Sequence, residues 1–273
     1  MKRILFVSAG TPFSKGALAF LKSMQEEEPI QVTGLFFSHI DYNAMISVSH
    51  IPAATPYVRL QEQEQHDVQA DKAVFARFCA DHYLKYQIHP NHDAWDRHLF
   101  ARTSRFSDLV ILSGELFYKG VEASQPNLFM QEALHAAECP VMVVPEDYTP
   151  VEHLVIGYDG SRNSLHAIKQ FCYLFPSYTE LPTEFVYIKD EASQEIPDIE
   201  LIRDFSAWHF GSIGFSKLHT KAAHYFTDWI RKKQQVMLVC GSFGRSPFSY
   251  MAKSSFASQA IHEHKIPVFI AHI

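Results

Sequence analysis

A pair of glycines, followed at a fixed distance by two serines, is the part of the sequence best suited to holding a ligand. Gly241 and Gly244 follow a predicted buried strand, and Ser254 comes after nine intervening residues, with Ser255 next to it. Glycines allow a tight turn and a close approach to a ligand, because they carry no Cβ. The serines stand at the start of a predicted helix, where hydroxyls and backbone amides bind anions. The chemistry this pattern indicates is phosphate binding.

A second candidate feature is an aspartate directly after another predicted strand, 153–158. The Asp159 carboxylate could accept hydrogen bonds from an adenine amino group or a ribose hydroxyl, and Gly160 follows it. In open parallel sheets, ligands bind beyond the carboxyl ends of the strands, at the point where strand order reverses. A simpler interpretation stays open for both features. Asp159 to Ser161 also has the composition of a turn and helix cap, and Gly241 to Gly244 that of a loop turn.

Short apolar runs alternate with helical patterns along the chain and predict the elements that position these residues. Strands of parallel sheets are buried on both faces and therefore read as continuous apolar runs. Spacings of i, i+3, i+4 and i+7 indicate helices between them, and the polar segment from Gln61 onward predicts a helix to about Tyr86 after a long loop, 41–60. Alternation of this kind predicts an α/β fold with parallel sheets and right-handed crossovers. The predicted strands are 3–8, 31–38, 108–113, 140–145, 153–158, 184–189, 235–240 and 266–271, with weaker ones near 86–90 and 213–218.

The two halves of the chain repeat the same order of segments. An offset of 150 aligns Ile4–Gly10 with Leu154–Gly160 and Ser14 with Ser164. Later in each half an offset of 127 aligns Leu109–Gly114 with Val236–Gly241. We therefore predict two tandem three-layer α/β/α domains, over residues 1–147 and 148–273.

The joint spacing of these motifs resembles that of the universal stress protein family. Gly241-x-x-Gly244, nine residues and then Ser254-Ser255 is similar to the nucleotide signature Gly-x-x-Gly-x9-Gly-[Ser/Thr] of that family, with Ser254 in place of its third glycine. Asp159 resembles the aspartate after the family's first strand, and Cys139-Pro140-Val141 resembles the start of its last strand. The resemblance covers nearly the whole chain as a tandem pair. It implies the adenine nucleotide alpha hydrolase-like fold, with a mostly parallel five-stranded sheet in each domain.

The resemblance also implies, for some members, binding of ATP or AMP. We expect such a site only in the C-terminal half, because an offset of 127 places Phe117 where Gly244 stands and leaves Gly114 as the retained glycine. By family position, the backbone of Tyr187 or Ile188 would contact the adenine. The predicted cofactor-binding residues are Asp159, Gly160, Ile188, Gly241, Gly244, Arg245, Ser254, Ser255 and Phe256, where Arg245 either pairs with a phosphate or lies in solvent.

Charge and composition exclude several classes of function for this chain. The net charge of −6 is concentrated in residues 1–147, with 12 basic and 18 acidic residues, and neither half is basic enough for an extended nucleic-acid interface. We expect no membrane span and no secretory leader. Four cysteines without metal-like spacing indicate reduced thiols and a cytoplasmic protein, with Cys240 a buried core thiol. The sixteen histidines predict no dedicated metal site. His262 and His264 do not share a face of the predicted helix, and the group from His89 to His98 lies in a polar connector, where solvated histidines are the commoner outcome. Binding of adventitious zinc stays open.

Three functional interpretations remain open at this point. The leading one is a non-catalytic stress-response module that binds an adenine nucleotide in its C-terminal half. A weak ATPase on the same fold is the second, although no base or metal ligand is placed at the phosphate end. The third is a scaffold that binds proteins through the last strand of each half. Internal pairing of the two halves follows from the resemblance, and association of two chains is left open.

Overall fold

The computed structural model describes residues 1–9, 14–37, 54–90, 95–114, 128–189, 195–219, 235–241 and 266–273. The first half contains β1 (Lys2–Ala9), α1 (Lys15–Glu27), β2 (Ile30–Phe37), α2 (Ala54–Asp81), β3 (Lys85–Ile88), α3 (Arg97–Ser104), β4 (Leu109–Ser113), α4 (Leu128–Ala136) and β5 (Val141–Val144). The second half contains β6 (His153–Gly157), α5 (Arg162–Leu174), a 3-10 helix (Pro176–Glu180), β7 (Pro182–Lys189), α6 (Ile199–His209), β8 (Ser212–His219), β9 (Val236–Cys240) and β10 (Val268–Ile270).

The described strands form one ten-stranded sheet in the order β3-β2-β1-β4-β5-β10-β9-β6-β7-β8. Every neighbouring pair is parallel except β5 and β10, which run antiparallel with Met142 opposite Phe269. Read outward from that central pair, both halves have the same strand order. The predicted α/β class with a mostly parallel sheet is confirmed. The halves meet edge to edge at β5 and β10.

The sheet is covered on both faces, which explains why its strands are apolar throughout. One face, here called the α1 face, packs against α1, α2, α5 and α6 through residues such as Phe20, Phe75, Phe171 and Ile202. The other, the α4 face, packs against α3 and α4 through Phe100, Met130 and Leu134. Each buried cluster contains residues of both halves, so the apolar layers continue across the β5–β10 pair.

The predicted strands all occur, each with ends within two residues of the expected ones. The prediction for the long polar segment was wrong at both ends. The helix α2 begins at Ala54, inside the expected loop, and it ends at Asp81, so that Tyr86 lies in β3. The remainder of that loop and the helix predicted to start at Ser254 and Ser255 lie outside the described residues.

The strand registers correct the alignment of the two halves. Ile4 pairs with Leu109, and Leu154, its counterpart at an offset of 150, pairs with Met237. Leu109 therefore corresponds to Met237, an offset of 128 and not 127 in this strand. Leu109, Ile111, Met237 and Val239 all face the α1 layer, as this offset requires.

This register changes which residues correspond at the strand ends. Gly241 corresponds to Ser113, so Gly114 is not its counterpart. The alignment of the first helices also changes. Ser14 is the N-cap of α1 and Ser161 is the N-cap of α5, so Ser14 corresponds to Ser161 and not to Ser164.

By residue type, two apolar groups are predicted to pack in the core or between the halves: Phe205, Trp208 and Phe210, and later Phe226, Trp229 and Ile230. The structure describes the first group and places its members differently. Phe210 is buried and Phe205 is half-buried, but Trp208 is 83% exposed on the outer side of α6. The expectation was therefore wrong for Trp208. Phe226 and Trp229, from the same prediction, lie outside the described residues.

Candidate functional site

The candidate site lies where the strand order of the second half reverses. From β6 the chain passes through β7 to β8 on one side, and it then returns to β9 and β10 on the other. The carboxyl ends of β6 and β9 are therefore neighbours, with Ile156 opposite Val239. Asp159 follows β6 and Gly241 follows β9, so the structure brings these two predicted residues to the same edge of the sheet, where open parallel sheets bind ligands.

Asp159 forms the turn that leads into α5. Its Oδ1 accepts a hydrogen bond from the backbone N–H of Ser161 at 2.9 Å. Ser161 is the N-cap of α5, and its hydroxyl oxygen accepts from the N–H of Ser164 at 3.1 Å. The turn-and-cap interpretation of this segment is thus confirmed. Asp159 is nevertheless exposed to solvent, which leaves its carboxylate within reach of a ligand.

The ionisation of Asp159 reflects this hydrogen bonding. Burial of part of the carboxyl group acts to raise its pKa, but hydrogen bonds from Ser161 and Ser164 lower the pKa below its ordinary value overall. The group is therefore a carboxylate at neutral pH. A hydrogen-bond donor of a ligand would meet an acceptor that is already oriented by the helix cap.

Gly160 is a glycine for two reasons that concern the backbone. Its φ of +77° lies in the left-handed region, which side chains disfavour. A Cβ at this position would also lie 2.6 Å from Cβ of Pro197, in the segment before α6. Gly160 therefore lets the β6–α5 turn pack directly against Pro197.

Gly241 has a packing role that its spacing does not predict. A Cβ at this position would overlap the backbone of Asn163 and Ser164 in the first turn of α5. The glycine thus allows the end of β9 to approach the helix. The expected approach of a ligand to the loop stays a prediction. This close approach places the N-terminus of α5 beside the end of β9. Gly241 therefore contributes to the candidate site by positioning the helix.

For most of the remaining predicted site residues, the structure describes no side-chain position. Ile188 lies in β7 opposite Leu218, and only its place in the strand is described. Gly244, Arg245, Ser254, Ser255 and Phe256 lie outside the described residues. Cys240 is buried, and burial raises the pKa of its thiol to about 12, which agrees with the core thiol we expected.

Sequence reasoning missed Tyr158, which lies at the same edge of the sheet, directly after β6. Its side chain is 6% exposed, and its backbone N–H donates to the carbonyl of Val186 at 3.0 Å. Burial first, and then the charges of Asp198 and Asp159, raise the pKa of its phenol. The sequence signal was weak, because a tyrosine at the end of an apolar run reads as one more core residue.

The start of α1 in the first half corresponds to the start of α5 in the second. It is covered by the segment of the chain that follows β5. Oε1 of Glu146 accepts a hydrogen bond from the N–H of Lys15, the first residue of α1, at 3.2 Å. A Cβ on Gly16 would overlap the carbonyl of Pro145, so the segment after β5 lies directly on this helix start. At α5 the segment after β10 instead donates to the helix, from the N–H of Ile273 to Oδ1 of Asn163 at 3.4 Å.

The described part of the chain holds neither a metal-binding cluster nor a membrane-spanning helix. No group of three or more His, Cys, Asp or Glu residues able to hold a metal ion occurs there. In the same ranges, no helix has the length and apolar character needed to cross a membrane.

The chain resembles known proteins in its fold and not in its sequence. No family model matches the sequence, and no curated protein matches it. Among solved structures, a universal stress protein from Archaeoglobus fulgidus superimposes with a TM-score of 0.69 at 12% identity, over 99% of this chain and 96% of that one. A candidate universal stress protein from Pseudomonas aeruginosa gives a TM-score of 0.55 at 13% identity, over 100% and 93%. The chain has the fold of the universal stress proteins.

Proposed function

We propose that this chain is a stress-response protein of the universal stress type whose C-terminal half binds an adenine nucleotide, ATP or AMP. The observation that carries the proposal is the meeting of Asp159 and Gly241 with the start of α5 at the reversal of strand order. A carboxylate at this point accepts from amino or hydroxyl groups, and a nearby helix N-terminus favours phosphate. Ser254 and Ser255 supply the hydroxyls in this proposal.

The two halves, 1–147 and 148–273, act in this proposal as paired units with different roles. The first half holds the Glu146 carboxylate against the start of α1, where it occupies the place of an anionic ligand. In the second half the segment after β10 meets the start of α5 through a different contact, in which the N–H of Ile273 donates to Oδ1 of Asn163. This difference favours nucleotide binding in the second half alone.

Of the two other functions considered, the scaffold acting through the last strands is disfavoured by the topology. β5 is bonded to β4 and β10, and β10 is bonded to β9 and β5, so neither strand has an edge to offer a partner. A weak ATPase remains compatible with the same site. Release of phosphate over hours of incubation with ATP would separate it from a pure binder.

The proposal is tested by calorimetric titration of the full chain with ATP and with AMP. We expect binding by the unchanged protein and a loss of at least about tenfold in affinity, or about 1.4 kcal/mol, in Asp159→Asn. The asparagine oxygen can still accept from the N–H of Ser161, so the helix cap is kept while the charge is removed.

Asp204→Asn is the matched control, because it removes a carboxylate from the exposed side of α6. It should bind nucleotide like the unchanged protein. The absence of heat and of any thermal shift with either nucleotide at millimolar concentration would refute nucleotide binding. Equal affinity of Asp159→Asn and the unchanged protein would refute the role of Asp159.

A further inference from the structure

An apolar patch lies on the outer surface of α5 and α6 in the second half. On α6, Leu201 and Trp208 are 71% and 83% exposed and stand about two helical turns apart. On α5, Tyr173 is 68% exposed. Phe205, between Leu201 and Trp208 in sequence, is half-buried. These four residues are called the apolar patch below, and large apolar side chains exposed together are typical of an interaction surface.

The two helices of the patch lie side by side and run in the same direction. Both cross over between parallel strands, α5 from β6 to β7 and α6 from β7 to β8. Nζ of Lys169 on α5 lies 6.0 Å from the ring centroid of Phe205 on α6, so these residues are at similar levels. About one turn further along the two helices are Tyr173 and Trp208, which therefore also lie at similar levels.

The first half has an ion pair at the position that corresponds to Trp208. Each of the helices α2 and α6 carries a phenylalanine whose ring contacts a histidine four residues later, and the two pairs are 127 residues apart. This offset makes Asp81 the counterpart of Trp208. Asp81 forms an ion pair with Arg77 one turn earlier, and both side chains are exposed. The same place on α6 therefore carries an exposed aromatic ring in place of a solvated charge.

The position that corresponds to Tyr173 shows the same difference. The N-caps Ser14 and Ser161 align α1 with α5, and this alignment makes Glu26 the counterpart of Tyr173. Glu26 forms an exposed ion pair with Lys22. Two independent positions on neighbouring helices have thus exchanged a carboxylate for an aromatic ring, in the second half alone.

The charges beside the patch match a second copy of the same surface. Lys169 is positive and Asp204 is negative, and within the described part of the chain neither forms a salt bridge. A two-fold axis parallel to the helices would place α5 of one copy over α6 of another. Lys169 would then face Asp204 of the second copy, and Tyr173 would face Trp208 of the second copy, each twice. The surface is therefore complementary to itself, as a two-fold interface requires.

The exposed area of the patch suits a weak dimer. Large aromatic side chains offer about 150–250 Å² each, so Tyr173, Leu201 and Trp208 together present roughly 400–500 Å² on one copy. Pairing covers this area on both copies, and the charged rim adds to it. The total is near the lower end for specific interfaces, about 1,200 Å², where association is reversible.

We propose that the chain forms a reversible two-fold dimer in which the apolar patches of two copies pack against each other. The expected Kd is about 10–100 μM, so the chain is a monomer at the low micromolar concentrations of unfolding measurements. This surface is separate from the proposed nucleotide site. That site lies at the start of α5, whereas Tyr173 and Trp208 lie near the C-terminal ends of α5 and α6.

The test is sedimentation equilibrium of the full chain over about 1–300 μM, a range that brackets the expected Kd. The average mass should rise from that of one chain toward that of two. Trp208→Asp gives this position the residue type of its first-half counterpart, and it should raise the Kd about tenfold or more. Tyr83→Asp is the matched control. It replaces an aromatic residue that is 89% exposed in the first half, outside the patch, and should leave the Kd unchanged.

A charge exchange tests the arrangement of the two copies. Lys169→Asp alone and Asp204→Lys alone should each weaken self-association, because like charges then face each other across the axis. An equimolar mixture of the two variants should restore association, since opposite charges then meet at both places. Both residues are exposed, so this experiment keeps the proposal falsifiable if Trp208→Asp fails to fold.

A chain that stays monomeric up to about 300 μM would overturn the proposal. It would also be overturned by equal self-association of Trp208→Asp and the unchanged protein, or by an equal loss in Tyr83→Asp. A mixture of the two charge variants that associates no better than either variant alone would refute the face-to-face pairing of α5 with α6.

Discussion

Gly241 illustrates how one missing side chain positions the candidate site. The end of β9 approaches the first turn of α5 so closely that a Cβ would overlap the backbone of Asn163 and Ser164. Backbone atoms cannot move aside without displacing the whole helix. The position of the α5 N-terminus beside the end of β9 therefore depends on this glycine.

We predict that Gly241→Ala destabilises the protein by about 1–3 kcal/mol, the usual cost of a forced backbone shift in a packed region. Urea unfolding of the two proteins measures the difference. Gly211→Ala is the control, because its Cβ would meet the flexible Glu180 carboxylate at 2.8 Å. That control should cost well under half as much, and equal costs in both variants would contradict the explanation.

Asp159 gives a prediction in the acid range. Its pKa is lowered in the folded protein, so its contribution to stability is present above the ordinary value of 3.8 and is lost as pH falls through the folded pKa. The stability gap between the unchanged protein and Asp159→Asn should therefore shrink below about pH 4. Urea unfolding across that range measures the gap. A stability gap that stays constant down to pH 3 would show that the hydrogen bonds to the Asp159 carboxylate do not stabilise the folded protein.

Strand positions were predictable because the chemistry that fixes them is local. Strands buried on both faces show as apolar runs, and the caps Ser14 and Ser161 stand at the starts of α1 and α5. The same apolar runs hide the register, because a run without alternation looks identical when shifted by one residue. That is why Leu109 was aligned with Val236, although Met237 is its counterpart.

The candidate site was predictable only in part, for a related reason. The turn at Asp159 and Gly160 depends on neighbours in sequence, so its residue types reveal it. The role of Gly241 depends on Asn163, which is distant in sequence and close only after folding. The buried pair of Ser8 and Asp71 likewise joins a strand end to the middle of a long helix. No spacing rule connects such residues.

The antiparallel pair of β5 and β10 is the element on which the link between the halves depends. Phe269 of β10 is fully buried opposite Met142 of β5, and its ring lies 5.3 Å from Phe171 and 5.9 Å from Phe175 of the second half. This one side chain therefore packs beneath α5 at the centre of the sheet.

We predict that Phe269→Ala lowers the free energy of unfolding by about 3–5 kcal/mol, the range for removing a buried aromatic ring. Chemical denaturation measures the loss. Tyr173→Ala on α5 is the control, since Tyr173 is 68% exposed and its removal should change stability by at most about 0.5 kcal/mol. A loss below about 1 kcal/mol for Phe269→Ala would mean that the central pair is loosely packed.

The whole molecule joins its halves by more than one pair of strands. Nζ of Lys2 in β1 donates to the carbonyl of Leu174 in α5 and pairs with Glu28. The ring of Phe20 lies 6.1 Å from Phe175, and the Ser177 hydroxyl donates to Glu27. Together with the apolar layers that cross the centre of the sheet, these contacts tie the unfolding of one half to that of the other.

We therefore predict a single cooperative thermal transition for the full chain. With about 0.7 kcal/mol per residue, 273 residues correspond to a calorimetric enthalpy of about 190 kcal/mol near 60 °C. For one cooperative unit, the van't Hoff enthalpy obtained from the shape of the transition equals that calorimetric value. Two halves that unfold independently would give a van't Hoff enthalpy of about half, or two resolved peaks. In Phe269→Ala the ratio of the two enthalpies should move toward that second case, because the substitution weakens the packing through which the halves are coupled.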